Sequence, residues 1–290
     1  MKHESRHAAT SQYLINTLES MAIILFLAAI PAALGHIIIG ENGLLAGFTI
    51  SLVIFAALPR LPPSTIMKSY GAQRISPRQN YELNFRLSQL AERAGLASSP
   101  ALYLLPSNQL HAFTFGNERD SAIAVSQGLL RFLNSGELIG VLAHEIGHIK
   151  SHDTHLMMTA NIAQLVTEQL SFLGKILFIL WIPIFLSEGN MAFGIPLFFF
   201  IILSPVITAL LRSFLSRTRE FNADIFSAEL TKNPLQLASA LQKMDDLQHG
   251  IFSNVFRLQR QPTVGWLSTH PETGLRIDRL MALSKEWYGR

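Results

Sequence analysis

Residues 141–155 read VLAHEIGHIKSHDTH and hold four histidines within twelve positions. The apolar residues between the histidines recur at helical spacing, which predicts a single helix through the stretch. At about 100° per residue, the later histidines lie within roughly 80° of the first around the helix axis. One helix face therefore offers four candidate metal ligands: His144, His148, His152 and His155.

The segment His144-Glu145-Ile146-Gly147-His148 has the form H-E-x-x-H. Two imidazoles one helical turn apart can bind one zinc ion, while the glutamate between them reaches a water molecule on the metal. Zinc lowers the pKa of such a water to about 7. The predicted role of Glu145 is general base: it takes the proton of the attacking water and passes it to the leaving amine.

The two later histidines are not expected to be ligands. In an unbroken helix, His152 lies about 12 Å along the axis from His144, whereas zinc–nitrogen bonds are about 2 Å long. A third histidine ten residues after the first needs a helix break, usually with glycine at the sixth position. Lys150 and Thr154 occupy the sixth and tenth positions. The third ligand must therefore come from elsewhere, and we expect His152 and His155 to be solvated or supporting residues.

Residues 216–230, SRTREFNADIFSAEL, hold the best candidates for a third ligand. Glu220 and Asp224 are four residues apart, so in a helix they share a face. One carboxylate can bind the metal, and the other can accept a hydrogen bond from the second ring nitrogen of a ligand histidine. Paired carboxylates are also common on exposed helix faces, and what favours this pair is its place directly after an apolar segment.

Four apolar blocks set the chain apart from ordinary soluble proteins. Charged residues make up only 15% of its 290 residues, whereas about 25% is usual in soluble domains. About 20 apolar residues cross the hydrocarbon core of a bilayer, so we expect transmembrane segments at 21–40, 43–58, 172–186 and 191–211. Whether the third block, which contains Lys175, crosses fully stays open. The alternatives are a signal peptide for the first block and buried soluble helices for the last two.

Basic residues lie outside the two pairs of apolar blocks and are absent from the short link within each pair. The short links within each pair of blocks contain none, and the basic flanking residues are Lys2, Arg6, Arg60, Lys68, Arg74, Arg78, Arg212, Arg217 and Arg219. Because such residues mark the cytoplasmic side, both termini and all long polar segments are expected in the cytoplasm. The expected domains are a transmembrane hairpin at 1–61, catalytic segments at 62–171 and 212–290, and a second hairpin at 172–211.

The polar segments carry local signals of secondary structure. Helical periodicity covers residues 78–95, and short strands are expected at 101–105 and 121–125. Asn134 followed by Glu137 predicts the start of the helix that carries the histidines. The edge of the second strand is expected to pair with a substrate backbone.

The composition excludes several other classes of protein. Cysteine is absent, so the chain has neither disulfides, nor a thiolate metal site, nor a cysteine nucleophile. The net charge of +3 gives no reason to infer binding of nucleic acid.

The order and spacing of these segments resemble the membrane-integral gluzincin metalloproteases, which include the HtpX-type heat-shock proteases and the CAAX prenyl endoproteases. The resemblance extends from about residue 80 to residue 282, and its motifs are SAIAVSQGLL, AHEIGHIKSHD, SRTREFNAD and THPETGLRIDRL. The two N-terminal apolar blocks favour the HtpX-like branch. The resemblance implies an α+β, mainly helical fold, with four transmembrane helices and a cytoplasmic catalytic domain built from the HExxH helix and a small β-sheet.

The resemblance also implies a ligand set. One zinc ion per chain is expected on His144, His148 and Glu220, with Asp224 orienting His144. Beyond these ligands, the resemblance gives a catalytic role to His270, which would hydrogen-bond the oxyanion of the reacting peptide.

Two further positions are expected near the substrate. Arg276 resembles the family's positioning arginine. The family usually has Asn-Ala-Phe where this chain has His111-Ala112-Phe113. His111 therefore either donates a hydrogen bond in the cleft in place of the asparagine or is a neutral local change.

The function implied is that of a zinc endopeptidase of the bacterial inner membrane, which cleaves membrane or misfolded proteins on the cytoplasmic side as stress-response quality control. Its expected partners are protein or peptide substrates and the lipid bilayer, without nucleic acid, and the oligomeric state stays open. One alternative is a CAAX-type prenyl-protein endoprotease. The other is a metal-stabilised membrane scaffold without turnover, against which Glu145 argues because a structural metal site needs no general base.

Overall fold

The computed structural model describes residues 25, 28–29, 31–33, 35–36, 40–57, 61–188, 191–249 and 273–289. Over these residues the chain is mainly helical with one small mixed sheet, which agrees with the expected fold class at that level. It divides into two units: one comprises Met1–Arg60 and Leu156–Arg212, and the other comprises Leu61–His155 and Ser213–Arg290. The four expected domains remain a prediction.

The described helices and strands follow one another in a simple order. In chain order the helices are α1 (Glu41–Ala57), α2 (Pro63–Ser69), α3 (Tyr81–Arg93), α4 (Gln127–Phe132), α5 (Ser135–Lys150), α6 (Asp153–Glu188), α7 (Met191–Thr231), α8 (Pro234–His249) and α9 (Thr273–Tyr288). The strands, all between α2 and α4, are β1 (Gln73–Arg74), β2 (Ala101–Leu105), β3 (Ala112–Gly116) and β4 (Ser121–Ser126).

Two very long helices contain the third and fourth apolar blocks. Helices α6 and α7 have 36 and 41 residues, so each is longer than the roughly 30 Å hydrocarbon core of a bilayer. Among the described residues, one stretch, Ala163–Leu180, is long and apolar enough to cross a membrane, and shorter apolar stretches lie at Glu41–Ile54 and Ile201–Leu210. Most of the first block lies outside the described residues, so the four transmembrane segments remain a prediction.

The sheet of the second unit has the strand order β1-β2-β4-β3. Strands β2 and β4 are parallel, whereas β1 and β3 pair antiparallel with them. The two strands expected from the sequence are confirmed, and β4 is one residue longer than predicted. The prediction that β4 offers an edge to substrate is wrong, because β4 lies between β2 and β3 and every one of its residues is buried. The edge strand on this side is β3.

Helix α5 occupies the centre of the second unit, where it contacts α3, β3, β4 and α8. Its residues from Gly140 to Ile149 are all buried, so the 3.6-residue periodicity of a surface helix is lost. The apolar core around it includes Leu87, Leu102, Ile123, Leu142 and Ile146, each at most 1% exposed. The histidine motif therefore lies on a helix that packing holds rigidly on several sides.

The start of α5 confirms the predicted capping box. The Asn134 side chain accepts a hydrogen bond from the Glu137 amide, and the Glu137 carboxylate accepts one from the Asn134 amide, both at 2.9 Å. Glu137 is 3% exposed and also accepts hydrogen bonds from Ser239 and Lys243 of α8, at 2.7 and 2.8 Å. Burial alone raises the pKa of Glu137, but these donors outweigh burial and lower the pKa overall.

The end of α5 corrects the prediction of one helix through residues 141–155. The helix ends at Lys150, and His152 has a left-handed backbone with φ 56°. The amide of His152 bonds to the carbonyl of Ile149, which tightens the last turn and redirects the chain before α6 begins at Asp153. The four histidines therefore do not lie along one continuous helix face.

The capping box predicts a pH-dependent contribution to stability. Glu137→Gln loses the ion pair with Lys243, and we expect it to cost about 1–2 kcal/mol at neutral pH, since Lys243 is partly exposed. Because the folded-state pKa of Glu137 is lowered, this contribution is complete above its ordinary pKa and is lost as pH falls through the folded-state value. Unfolding of the purified chain measured from pH 7 to below pH 4 should show the difference shrinking at the acidic end of the range.

The matched control is Glu82→Gln, which removes an exposed carboxylate 3.7 Å from Arg86. It should change stability by less than about 0.5 kcal/mol. The assignment of this stability to the Glu137 carboxylate is contradicted if both variants lose the same free energy of unfolding. It is also contradicted if the loss in Glu137→Gln grows towards acidic pH.

Candidate metal centre

Two imidazoles of α5 meet at one point in the interior of the second unit. His144 and His148 are 4% and 9% exposed, and their Nε2 atoms are 3.2 Å apart. Their rings are perpendicular, with centroids 4.8 Å apart. One helical turn of separation thus places two ring nitrogens together, as the H-E-x-x-H spacing predicts.

Glu220 of α7 brings a carboxylate to the same point. It is 2% exposed, and its Oε2 and Oε1 atoms lie 3.4 and 3.5 Å from the Nε2 atoms of His144 and His148, respectively. Around an ion with bonds of about 2.05 Å, tetrahedral ligands are separated by about 3.3 Å. The donor atoms of these three residues all lie within 4.8 Å of one another, so the donor set and its spacing fit a tetrahedrally bound metal ion.

Small residues let α7 approach α5 closely enough for this contact. A Cβ atom on Gly147 would lie 3.2 Å from the Cα of Ala223, which is tighter than ordinary packing. Two turns earlier on α5, the carbonyl of Gly140 accepts a 2.8 Å hydrogen bond from the Ser227 hydroxyl. The glycine inside the histidine motif therefore has a structural role, because it lets α7 come close enough to α5 to bring Glu220 to the histidines.

Asp224, one turn after Glu220, holds the first histidine. Its Oδ1 atom lies 2.9 Å from Nδ1 of His144, and the aspartate is 3% exposed. A hydrogen bond donated from Nδ1 leaves Nε2 of His144 with its lone pair, which is the form that binds a metal ion. The spacing alone left open which carboxylate does which task, and the geometry favours the division that the family resemblance implies, with Glu220 on the metal and Asp224 on the histidine.

Arg276 of α9 joins both carboxylates. Its Nε and Nη2 atoms donate to Asp224 at 2.7 and 2.6 Å, and Nη1 lies 2.9 Å from Oε2 of Glu220. Arg276 is 1% exposed, and it is among the largest fully buried side chains described. These contacts favour a role in positioning the two carboxylates, rather than the contact with substrate that the sequence allowed.

Electrostatics inside the cluster follow from these contacts. Burial alone raises the pKa of Asp224, but its hydrogen bonds and charge interactions with Arg276 and His144 lower it overall. Burial alone lowers the pKa of His144, but its hydrogen bonds to Asp224 and Glu220 raise it overall. The aspartate is therefore held ionised, in the state that keeps the histidine oriented.

Glu145 points its carboxylate towards the edge strand. It is 4% exposed, and its Oε2 atom accepts a 2.7 Å hydrogen bond from the hydroxyl of Thr114 on β3. Thr114 was missed by the sequence reasoning, as was the whole of β3. The alternation of Phe113, Thr114 and Phe115 before the Gly116-Asn117 turn is the signal that predicts such a strand.

Comparison with known proteins decides the family. A family model described as peptidase family M48 matches residues 77–284, which contain every residue of the cluster. The chain belongs to peptidase family M48.

The relatives of this M48 peptidase agree with the match. It is 32% identical over 287 residues to the protease HtpX homolog of Acaryochloris marina, covering 94% of this chain and 96% of the relative. It is 30% identical over 288 residues to the protease HtpX of Legionella pneumophila, covering 93% of this chain and 100% of the relative. Among solved structures, the crystal structure of S. mikatae Ste24p matches with a TM-score of 0.49 and 19% identity, over 94% of this chain and 64% of that one.

The family and the donor set together identify the kind of enzyme. The M48 peptidase is a metalloprotease of the HtpX type that acts on peptides or proteins, and His144, His148 and Glu220 form its candidate metal site. The buried cluster supports a divalent ion, because Glu145, Glu220 and Asp224 outweigh the one guanidinium when the imidazoles are neutral.

The remaining site residues of the M48 peptidase have different outcomes. Nε2 of His111 lies 2.9 Å from Oε1 of Gln109. The expected role of His111 in the substrate cleft remains a prediction. The His152 side chain is 56% exposed, with Nε2 3.8 Å from Glu118. His155 lies in α6, but its side chain is outside the described part of the chain, as is the whole of His270.

The geometry predicts which variants lose metal. Glu220→Ala removes one of three ligands and should abolish stoichiometric metal binding, whereas Asp224→Ala should weaken metal affinity about 10- to 100-fold. His152→Ala and His155→Ala should keep full metal. The measurement is metal content of each purified full-length variant after dialysis.

The matched control is Glu229→Ala, which removes an exposed glutamate from the same helix as Glu220 and should leave metal content unchanged. Metal lost with His152→Ala but kept with Glu220→Ala means that the third ligand is wrong.

Proposed function

We propose that this chain is a zinc-dependent endopeptidase of the bacterial inner membrane that hydrolyses membrane or misfolded proteins on the cytoplasmic side. The observation that carries the proposal is the convergence of His144, His148 and Glu220 on one point, with Glu145 beside them. Three protein ligands leave a fourth position for water or substrate, which is the arrangement of catalytic rather than structural zinc sites.

Zinc is the metal that this donor set favours. Two imidazoles and one carboxylate in tetrahedral spacing suit zinc, whereas magnesium and calcium prefer six or more oxygen ligands. When bound, zinc polarises the peptide carbonyl and makes the attacking water acidic. One ion per chain is expected.

The protein groups around the ion have separate tasks in this proposal. Glu145 takes the proton of the attacking water on one carboxylate oxygen, while Thr114 bonds to the other, and later delivers the proton to the leaving amine. Asp224 keeps His144 oriented, and Arg276 keeps Asp224 and Glu220 in place. His270 is proposed to stabilise the oxyanion.

Strand β3 offers a natural place for an extended substrate. The amides of Ser126 and Asn117 bond to the carbonyls of His111 and Asp120, so by the antiparallel alternation the backbone groups of Ala112, Thr114 and Gly116 point away from β4. The carbonyl of Gly116 confirms this direction by accepting a 2.5 Å hydrogen bond from Thr154.

An extended peptide can pair with the remaining edge of β3 through its backbone, with little dependence on sequence. Broad recognition of that kind suits a protease that removes misfolded proteins, which differ in sequence but expose unpaired backbone. This is the support for the quality-control role.

Membrane insertion and sidedness rest on α6, α7 and the loop charges. The apolar stretch Ala163–Leu180 lies in α6, and α7 runs without a break from the fourth apolar block to Glu220. The basic residues that flank the apolar blocks favour the cytoplasmic side for the catalytic segments.

The proposed mechanism predicts that Glu145→Gln keeps zinc and loses nearly all hydrolysis, because the glutamate is the base and not a ligand. The assay measures cleavage of unmodified casein and of a prenylated C-terminal peptide by purified, zinc-loaded protein. Glu229→Gln, on an exposed face of α7, is the control and should cleave casein normally.

Near wild-type cleavage by Glu145→Gln refutes the mechanism. Cleavage of the prenylated peptide without cleavage of casein assigns the site to the CAAX-type alternative, and zinc binding without cleavage of any peptide assigns it to the scaffold.

The loop charges predict the topology. A reporter fused after Asn190 should behave as periplasmic, and one fused to Arg290 should behave as cytoplasmic. The reverse pattern, or a cytoplasmic signal from both fusions, is incompatible with the proposed spans.

A further inference from the structure

Thr114 touches the proposed general base from the edge strand. Its Oγ1 atom donates the 2.7 Å hydrogen bond to Oε2 of Glu145, across 31 positions of sequence. Glu145 is 4% exposed, whereas Thr114 is only partly buried. The hydroxyl therefore joins a buried carboxylate to a partly exposed residue of the edge strand.

The orientation of β3 explains why this side chain reaches α5. Side chains alternate along a strand, so Ala112 and Thr114 share one face and Phe113 lies on the other. Phe113 stacks edge-on against Tyr70 at 5.1 Å, which fixes the opposite face of the strand. Thr114 is paired with Ile123 of β4, a residue with no exposed surface. The strand is thus held on two sides, and the Thr114 hydroxyl is presented from a rigid support.

The backbone of the same residue faces outward. Thr114 belongs to the set of β3 residues whose amide and carbonyl point away from β4, and among the described strands none pairs with that edge. A peptide added there bonds to the backbone of Thr114 while the Thr114 side chain bonds to Glu145. One residue then connects the position of the substrate with the orientation of the base.

A general base acts only within hydrogen-bond reach of the proton that it accepts, and small misplacements of reacting groups are costly. A glutamate side chain has several rotatable bonds, so an unheld carboxylate samples many orientations. A hydroxyl bonded to Oε2 restricts these orientations and leaves Oε1 to accept the proton.

We propose that Thr114 is a positioning residue for peptide hydrolysis, which holds Oε2 of Glu145 and couples its orientation to a substrate strand on the edge of β3. The inference rests on the proposed function, in which Glu145 is the base. It adds no chemical step: the proton still moves from water to Oε1 of Glu145 and from there to the leaving nitrogen.

The test compares Thr114→Val, which keeps the shape and loses the hydroxyl, with Thr114→Ser, which keeps the hydroxyl. Kinetics are measured on labelled casein with the full-length, zinc-loaded protein, and metal content is measured for each preparation. Thr114→Val should lower kcat about 10-fold with KM changed less than about 2-fold, because a hydrogen bond to a charged group is lost. Thr114→Ser should restore most of kcat, and metal content should be unchanged in both.

Thr231→Val is the matched control, since it removes a hydroxyl that bonds to the Ser227 carbonyl near the end of α7, away from Glu145. It should leave kcat and KM unchanged. The proposal is overturned by a normal kcat in Thr114→Val, by a rise in KM at constant kcat, by equal loss in Thr114→Ser, or by loss of metal. An active Glu145→Gln variant refutes the proposed function itself, whereas an inactive Glu145→Gln with a normal Thr114→Val refutes this inference alone.

Discussion

One buried guanidinium holds the candidate metal centre together. Arg276 bonds to Asp224 through two nitrogens and contacts Glu220 through the third. Without this cation, two carboxylates one helical turn apart would be buried together beside Glu145, and burial alone would favour their protonated forms. With it, Asp224 remains ionised and can orient His144, and Glu220 is fixed where its oxygens face the two imidazoles.

The centre is therefore a property of three helices and not of the H-E-x-x-H segment alone. Helix α5 supplies the histidines, α7 supplies the carboxylates, and α9 supplies the arginine. Close approach of α5 and α7 depends on Gly147, which faces the backbone of Ala223. The apolar part of α6 and α7 lies in sequence between the histidines and Glu220, so the site is complete only when the residues before and after this apolar part have folded together.

Sequence reasoning succeeded where the determining signal is local. The motif at 144–148, the capping box at Asn134 and the strand Ala101–Leu105 all depend on residues within a few positions of one another. Spacing and position after an apolar segment made Glu220 and Asp224 the candidates, but the division of tasks between them depends on the rotation of α7 against α5. That rotation is set by side chains far away in sequence.

The features that sequence reasoning missed also depend on contacts between residues far apart in sequence. The expected continuous helix through residues 141–155 is broken by a left-handed turn at His152, and no glycine marks that turn in the sequence. The bond between Thr114 and Glu145 requires the order of strands in the sheet, in which β3 is added beside β4 as an edge. The buried contacts of Arg276 join residues 52 positions apart, and neither helix periodicity nor motif spacing reports on such a contact.

The central claim is that one zinc ion is held by two imidazoles of α5 and one carboxylate of α7. Anomalous diffraction at the zinc edge, from crystals of the full-length protein prepared with zinc, tests it most directly. The account predicts one anomalous peak about 2.0–2.2 Å from Nε2 of His144, Nε2 of His148 and a carboxylate oxygen of Glu220. A peak bound by His152, or one with Glu220 beyond bonding distance, contradicts it.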